Sequence, residues 1–561
     1  MGTEDELTWE APGPGYWEWQ GSHLPGIPTP IYREVWANGL NVGVSRCFER
    51  IGVPLAGLEP QFVNDRAFTS LRPLVGKRGA TPPPKPLMWL ALRVHPEFRR
   101  RAKTAAHTLA ERTWRARTVE WTSTLRPVLR EANRALQQED IRALDDAALL
   151  DHVRRAHTNT VDGHVLHFDL HGDDLGPLGL YLVSCQDWGI APGDAIAALA
   201  GHSPSTAAPV EALRKVGLAL LEAGWTSDRP APDTLEELRA VGPSVSSALD
   251  DYLQEFGWRT VTGYDLDGRT VGELPEALLA NVLASTQPFD EAAAAAAGDA
   301  AAASLRARVP ATERAAFDEA LAEARLALDL RDDNGPMTVE WTMGLLRRAL
   351  LEAGRRLVER GRLATAEEAV ELTLAEVEQL LIGNGGPSAA DVSARAVSRR
   401  LARVTPTPGS LGAREPDPDL SVFPAALARM TRTAMMAVSL LEREEVVPNP
   451  TGGVLVAGLG VGRESYVGRA RVAERAEDAL AAVEPGDVLV VPFTTPAYNA
   501  VLAVCGAVVT EEGGVLAHAA VLARELGLPA VVGAAGATVV IPDGAEVEVD
   551  PVAGTIRLVS G

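Results

Sequence analysis

Cysteine is scarce: Cys47, Cys185 and Cys505 are the three in 561 residues, far apart in sequence. They form no CxxC and no metal-ligand spacing, which excludes a disulfide framework and a cysteine zinc site. Lysine is scarcer relative to its usual share, with only Lys77, Lys85, Lys103 and Lys215, so arginine carries most of the positive charge. No apolar run approaches the ~20 residues that span a bilayer. The longest candidate, around 500–509, reads as a buried strand and its approach. A basic leader is missing too: the chain starts MGTEDELTWE, acidic where a secretory signal is basic and then apolar. A cytoplasmic location is expected. Net charge is −22, a field that repels phosphate backbones and anionic lipid, so nucleic-acid and membrane-surface roles are disfavoured.

What is present is the composition of a folded protein: 46 % hydrophobic, 23 % charged, mean hydropathy near zero. The length predicts about two to four domains. The first ~90 residues are rich in Trp, Pro and Gly, as in PGPGYWEWQGSHLPGIPTPIYREVW and PPPKP, and predict an irregular aromatic-anchored segment leading into short helices. From about 87 to 401 apolar residues recur at helical spacing, as in TLEELRAVGPSVSSALDDYLQEFG and TMGLLRRALLEAGRRLVERG, with Gly257 and Gly361 as stops. The alanine run at 292–303 reads as helical filler. Two proline-rich breaks, 405–419 and 446–453, flank one helix over about 423–442. Beyond Gly453 short β-rich runs alternate with Gly, Pro and Asp turns. The domains are therefore 1–404, a mainly helical body; 405–453, linkers around one helix; and 454–561, a compact α/β domain.

One segment carries chemistry. In TEEGGVLAHAAVLARELGLPAVVG (510–533) a strand over 507–510 ends, two glycines turn, and a helix starts close to His518 and stops at Gly527 before Pro529. The first turn of a helix offers free N–H groups and a dipole to an anion, and Gly513 and Gly514 let backbone approach it. An imidazole there is placed to carry a phosphoryl group, and its side chain is expected to face solvent. A lone histidine near a helix start is equally compatible with an ordinary surface or core position.

This segment resembles the phosphohistidine signature of the PEP-utilising enzymes, the group of pyruvate phosphate dikinase, PEP synthase and the rifampin phosphotransferases. Thr510, Gly513, Gly514, His518, Ala520, Ala523, Arg524, Glu525, Gly527, Pro529, Ala530 and Gly533 stand where that signature wants them. LGVGRESYVGRARVA, EPGDVLVVPFTTPAYNAVL and VIPDGAEVEVDPVAGTIRLV extend the likeness over the whole domain. One departure is Ala517, where the signature has a hydroxyl residue next to the histidine; Leu516 precedes it. The N-terminal part is similar to the substrate-binding portion of rifampin-phosphotransferase-like proteins through PGYWEWQGSHLPGIPTP, EPQFVND, HVLHFDLHGDDLGPLG, FGWRTVTGYDLDGRTVGELP and LRDDNGPMTVEW.

The resemblance implies a multidomain α plus α/β fold, with a large mainly helical N-terminal body and a C-terminal swivelling β/β/α phosphohistidine domain. It implies a phosphotransferase component in which catalytic His518 is first nucleophile and then leaving group. Gly513, Gly514, Arg524 and Thr510 would hold the phosphate. No ATP-grasp domain, GxxxxGK[ST] loop or PEP-binding barrel is recognisable, and GLGVGR at 458–463 has Arg463 where a dinucleotide loop needs glycine. No cofactor is expected on this chain; ATP and magnesium would belong to a separate ATP-grasp partner, and the acceptor would be a hydroxyl of a small molecule. Phosphorylation-driven dehydration or ligation in biosynthesis is an alternative, and a non-catalytic ligand- or partner-binding homologue is another.

A second group of histidines stands in HVLHFDLHGDDLG. His164, His167 and His171 fall at i, i+3 and i+7 beside Asp169, Asp173 and Asp174, with Gly172 expected to end the helix. A metal site, a substrate cavity with a base near His167 or His171, and structural packing all fit this spacing; no metal is assigned. Asp169, Arg259, Arg331 and Asn334 are the further substrate-binding candidates, with buried Arg–Asp pairing an equal reading of the arginines.

Overall fold

The computed structural model describes residues 7–559 apart from 22, 81–82, 227–230, 287–290, 384, 415, 440–453, 463, 495–497, 503 and 515–516. The second proline-rich break and Leu516 lie outside the described residues. The helices that position the candidate residues are α1 (Pro30–Ile51), α2 (Asp146–Asp187), α3 (Pro275–Ala284), α4 (Glu291–Arg308), α5 (Arg314–Gly335), α6 (Trp341–Glu359) and α7 (His518–Leu526). Contacts gather the chain into two compact units: Met1–Gly176 with Gly263–Gly268 and Asn334–Ala434, and Pro177–Thr262 with Arg269–Asp333 and Met435–Gly561.

In the first unit the N-terminal segment is more regular than its prolines suggest. Pro30 occupies the first turn of α1, where its missing N–H costs nothing, and α1 then runs for 22 residues. Strands β1 (Trp17–Trp19), β2 (Leu55–Val63), β3 (Arg66–Pro73) and β4 (Ser410–Leu411) form an antiparallel sheet in the order β2-β3-β1-β4. The turn residues Asn64 and Asp65 both take positive φ and close the β2–β3 hairpin. The short-helix expectation is thus corrected: the prolines cluster at the entry of one long helix.

The helix α2 corrects a second expectation. It does not end at Gly172 but continues for 42 residues, through Pro177. Glycine serves packing there: a Cβ at Gly172 would lie 2.7 Å from Ile51 Cγ2 of α1. Gly39 and Gly43 of α1 meet His164 and Phe168 of α2 in the same way, and a Cβ at Gly163 would lie 2.2 Å from the Thr338 carbonyl. The segment holding Thr338, Pro336–Glu340, winds as a π-helix between α5 and α6, a widening that recurs at functional sites.

In the second unit the C-terminal strands are β5 (Val454–Ala457), β6 (Leu459–Val461), β7 (Tyr466–Val472), β8 (Val488–Val491), β9 (Ala507–Thr510), β10 (Ala530–Val532), β11 (Glu546–Asp550) and β12 (Thr555–Leu558). They make one sheet in the order β5-β12-β11-β7-β8-β9-β10-β6. Neighbours from β7 to β10 pair parallel and the remaining pairs are antiparallel. Every residue of β8, β9 and β10 is buried, as a parallel sheet covered on both faces requires. Val261, Leu274 and Ala277 share a core with Tyr498, Val501, Ala519 and Leu522, and α4, the alanine run, packs on α7. A stretch read as filler therefore supports the helix that begins at His518. Among the described residues no helix is long and apolar enough to cross a membrane.

The Gly163 crossing gives a test. Gly163→Ala is expected to lower stability by about 1–3 kcal/mol through overpacking, read as a shifted denaturant midpoint; an unchanged midpoint would show that the helices give way freely.

Candidate functional site

Because β8 and β9 are adjacent and parallel, both chains leave the sheet at the same edge, where ligand sites of α/β sheets lie. The two exits are tied together: the N–H groups of Glu511 and Glu512 donate to the carbonyls of Val491 and Pro492 at 3.1 and 2.8 Å. Gly513 takes φ +118°, and a Cβ there would approach Ala517 Cβ to 2.7 Å, so the chain folds back only with glycine. The Ala517 N–H donates to the Gly514 carbonyl at 3.0 Å, and α7 begins at His518 itself and closes on Gly527 at φ +69°.

His518 is partly buried rather than open to solvent, and loss of water around the ring pushes its imidazole down to about 4. The ring is neutral at neutral pH. Thr494, three residues beyond β8 and buried, places Oγ1 2.9 Å from His518 Nδ1. Nε2 is then the nitrogen left for chemistry, and it carries the lone pair in the tautomer whose Nδ1–H donates to Thr494. This hydroxyl arrives from the neighbouring strand and partners the ring that Ala517 leaves without one. Thr494 is absent from the sequence-level candidates; its signal was a polar pair, Thr494–Thr495, directly after an apolar strand.

The other phosphate candidates divide. Gly513 and Gly514 form the turn leading to His518. Thr510 is fully buried and its hydroxyl donates to the Glu512 carbonyl at 2.7 Å, which shapes the turn. Arg524 lies six residues along α7, about 9 Å from His518 and about 120° around the axis, so it does not share the His518 face. Burial pulls its guanidinium down to about 10.

In the first unit α2 is continuous, so its three histidines do share a face. His164 Nδ1 donates to the Thr160 carbonyl at 2.8 Å and is fully buried, with burial pushing it down to about 4. Its role is packing, against the ring of Tyr32. His167 Nδ1 lies 3.3 Å from Asn334 Oδ1, and burial followed by the neighbouring His171 holds it well below the usual imidazole range. His171 Nδ1 lies 3.3 Å from Asp174 Oδ2. Asn334 joins the two, its Nδ2 donating to Asp174 Oδ2 at 2.9 Å and to the His167 carbonyl at 3.1 Å. His167, His171 and Asn334 thus come together, and Asp174 and Thr338 join them. Asp169 does not: Arg50 and Arg117 hold its two oxygens at 3.0 and 2.8 Å, a structural ion pair. Arg259 and Arg331 belong to the second unit, where Arg259 stacks 4.6 Å over Phe256 and Arg331 pairs with Asp332 at 2.6 Å.

Residues 483–554, which enclose this turn and helix, match the family described as PEP-utilising enzyme, mobile domain. Residues 483–554 are thus similar to a PEP-utilising mobile domain. Residues 185–332, which pack with it, match the rifampicin phosphotransferase fourth domain. Chondramide synthase of Chondromyces crocatus is 30 % identical over 78 % of this chain but 12 % of its own length. A rifampicin phosphotransferase of a Streptomyces species is 32 % identical over 58 % of the chain and 36 % of its own. An uncharacterised protein of Mycobacterium tuberculosis is 36 % identical over 38 % and 22 %. The chain therefore spans well under half the length of these curated relatives.

Within the mobile domain, an NMR titration of His518 is expected to show a midpoint near pH 4 instead of 6.5. Because the folded value lies below the unfolded one, the stability this contributes is present above pH 6.5 and is lost as pH falls through about 4. A midpoint near 6.5 would show that the ring is solvated.

Proposed function

We propose that this chain is a phosphotransferase component in which His518 of the mobile domain carries a phosphoryl group, received from a separate ATP-grasp protein, to a hydroxyl of a small molecule bound in the helical body. The observation that carries this reading is the presentation of His518: first residue of α7, neutral, Nδ1 engaged by Thr494, Nε2 left over. In charging, the Nε2 lone pair attacks the phosphorus of the donor's phosphoryl group, the donor P–O bond breaks with its electrons left on the leaving oxygen, and Nδ1 keeps its proton against Thr494. The free N–H groups of the first turn of α7 and the backbone at Gly513 and Gly514 stabilise the anion. In transfer, the acceptor oxygen attacks phosphorus, and the P–N electron pair returns to the ring. A base of the helical body takes the hydroxyl proton. Two relatives are named for phosphorylating rifampicin, which supports a small-molecule acceptor.

A second reading has an observation of its own. The relative matched over 78 % of this chain is named a synthase, which supports a net reaction in which the phosphate ester is an activated intermediate for dehydration or ligation. Product analysis separates the two: a stable phosphate ester against inorganic phosphate and a condensed or unsaturated product.

The carrier role is tested by intact mass. With an ATP-grasp donor, ATP and magnesium, the chain is expected to gain one phosphoryl group, labile to acid, and His518→Ala is expected to abolish the gain without loss of fold. The chain alone is expected to leave ATP unconsumed. A gain that persists in His518→Ala, or none with any donor, overturns the carrier assignment; the latter outcome leaves the ligand-binding homologue.

Thr494→Val is expected to slow charging about fivefold, since a hydrogen bond is worth about 1 kcal/mol and a factor of ten requires about 1.36 kcal/mol. Single-turnover mass measurements read this, and an unchanged rate would reduce Thr494 to packing.

A further inference from the structure

We infer that His171, oriented by Asp174 and Asn334, is the general base for the acceptor hydroxyl, and that His167 is a hydrogen-bond acceptor that positions that hydroxyl without taking its proton. The inference rests on the transfer reading above and adds to it a division of labour between two histidines that the sequence leaves equivalent.

The argument follows the hydrogen bonds from Asp174. Its carboxylate is buried, 1 % exposed, and a carboxylate only accepts. Its oxygens lie 3.4 and 3.3 Å from His171 Nδ1, with Asn334 Nδ2 2.9 Å from the second. His171 Nδ1 therefore bears the proton in this contact, and Nε2 bears the lone pair. With Nδ2 donating to Asp174 and to the His167 carbonyl, Asn334 has only Oδ1 to turn toward His167. His167 Nδ1 therefore donates to it at 3.3 Å, and its Nε2 is a lone-pair acceptor as well. The Thr338 hydroxyl, inside the π-helix, donates to the Asn334 carbonyl at 2.5 Å and fixes the backbone behind the amide. Two imidazoles thus stand edge to face, centroids 4.7 Å apart, each with Nε2 unprotonated.

What separates them is the charge behind each ring. His171 Nδ1 faces the buried Asp174 carboxylate at 3.3 Å, the arrangement in which a carboxylate orients a general-base imidazole. A proton taken by His167 faces a neutral amide and hydroxyl with His171 alongside, where positive charge is penalised. His171 also keeps 24 % of its side chain exposed, giving Nε2 access to an incoming hydroxyl. In the step itself the acceptor O–H bond breaks and its proton goes to His171 Nε2. The oxygen pair forms the O–P bond, and the P–Nε2 bond of phospho-His518 breaks with its electrons left on the His518 ring. The products are a phosphate ester, neutral His518 and a His171 imidazolium that releases its proton to water.

The test uses the full chain, charged at His518 with potassium phosphoramidate and located by fragment mass spectrometry, with water as the acceptor probe. His171→Gln is expected to charge normally and discharge about 100-fold more slowly, within the range for loss of a general base; Asp174→Asn is expected to charge normally and discharge slowly as well. Independently, diethyl pyrocarbonate is expected to modify His171 at Nε2 in the native chain and to lose that reactivity in Asp174→Asn, where an amide facing Nδ1 moves the ring proton to Nε2. Circular dichroism and thermal unfolding establish that each variant is folded, and His171→Gln, on a partly exposed side chain, stands in if Asp174→Asn is not. Discharge of His171→Gln at the native rate, or equal modification of His171 in the native chain and Asp174→Asn, overturns the inference. A native chain that takes no phosphoryl group at His518 overturns the transfer reading instead, and the modification experiment then decides the His171–Asp174 arrangement by itself.

Discussion

The parallel pairing of β8 with β9 is the constraint on which the C-terminal site depends. Parallel neighbours deliver their following segments to one edge, and here those segments carry Thr494 and His518. Had the strands been antiparallel, the two exits would sit at opposite ends of the sheet, and no single hydroxyl from β8 could reach the ring that opens α7. The same pairing fixes the turn. Thr510, Glu511 and Glu512 spend their hydrogen bonds on the neighbouring exits of β8 and β10 and on each other, including the Ala534 N–H donating to the Thr510 carbonyl. The turn at Gly513 then leads to His518 at the start of α7.

The helical body reaches a comparable precision by removing side chains instead of pairing strands. At Gly39, Gly43, Gly163 and Gly172 the neighbouring helix comes closer than any Cβ permits. Such contacts let α1, α2 and the Pro336–Glu340 segment share a small space in which His167, Asn334, Thr338 and Asp174 satisfy one another. A buried polar network of this kind is costly when partly satisfied, and here each member has a named partner. The widened π-turn places Thr338 against Asn334.

Much of this was legible along the chain. The strand over 507–510, the helix beginning at His518 and the stop at Gly527 all follow from local turn and capping rules, because each depends on residues within a few positions of one another. Arg524 shows the limit of that reasoning: a signature places it near His518 in sequence, whereas the 100° step of a helix turns it away. Gly172 misled for a related reason. Its rule as a helix stop is local, but its function is to admit Ile51 of another helix, a contact 121 positions away in sequence and therefore invisible in the local pattern. The prolines before α1 misled likewise, since proline breaks a helix in its interior and starts one at its first turn.

The sequence by itself determined the two-part character of the chain, the identity of the phosphoryl-carrier candidate and the alignment of His164, His167 and His171 on one helix face, because periodicity, turn residues and signature spacing are written in order along the chain. Tertiary structure alone decided which hydroxyl partners His518, which carboxylate stands behind His171, and that Asp169 and Thr510 are spent on structure. Those are pairings between residues 24, 52 or 160 positions apart, or, for Thr510 and His171, choices among near neighbours that only the folded backbone settles. A hydrogen bond demands about 3 Å and a set direction, and only the folded chain supplies either.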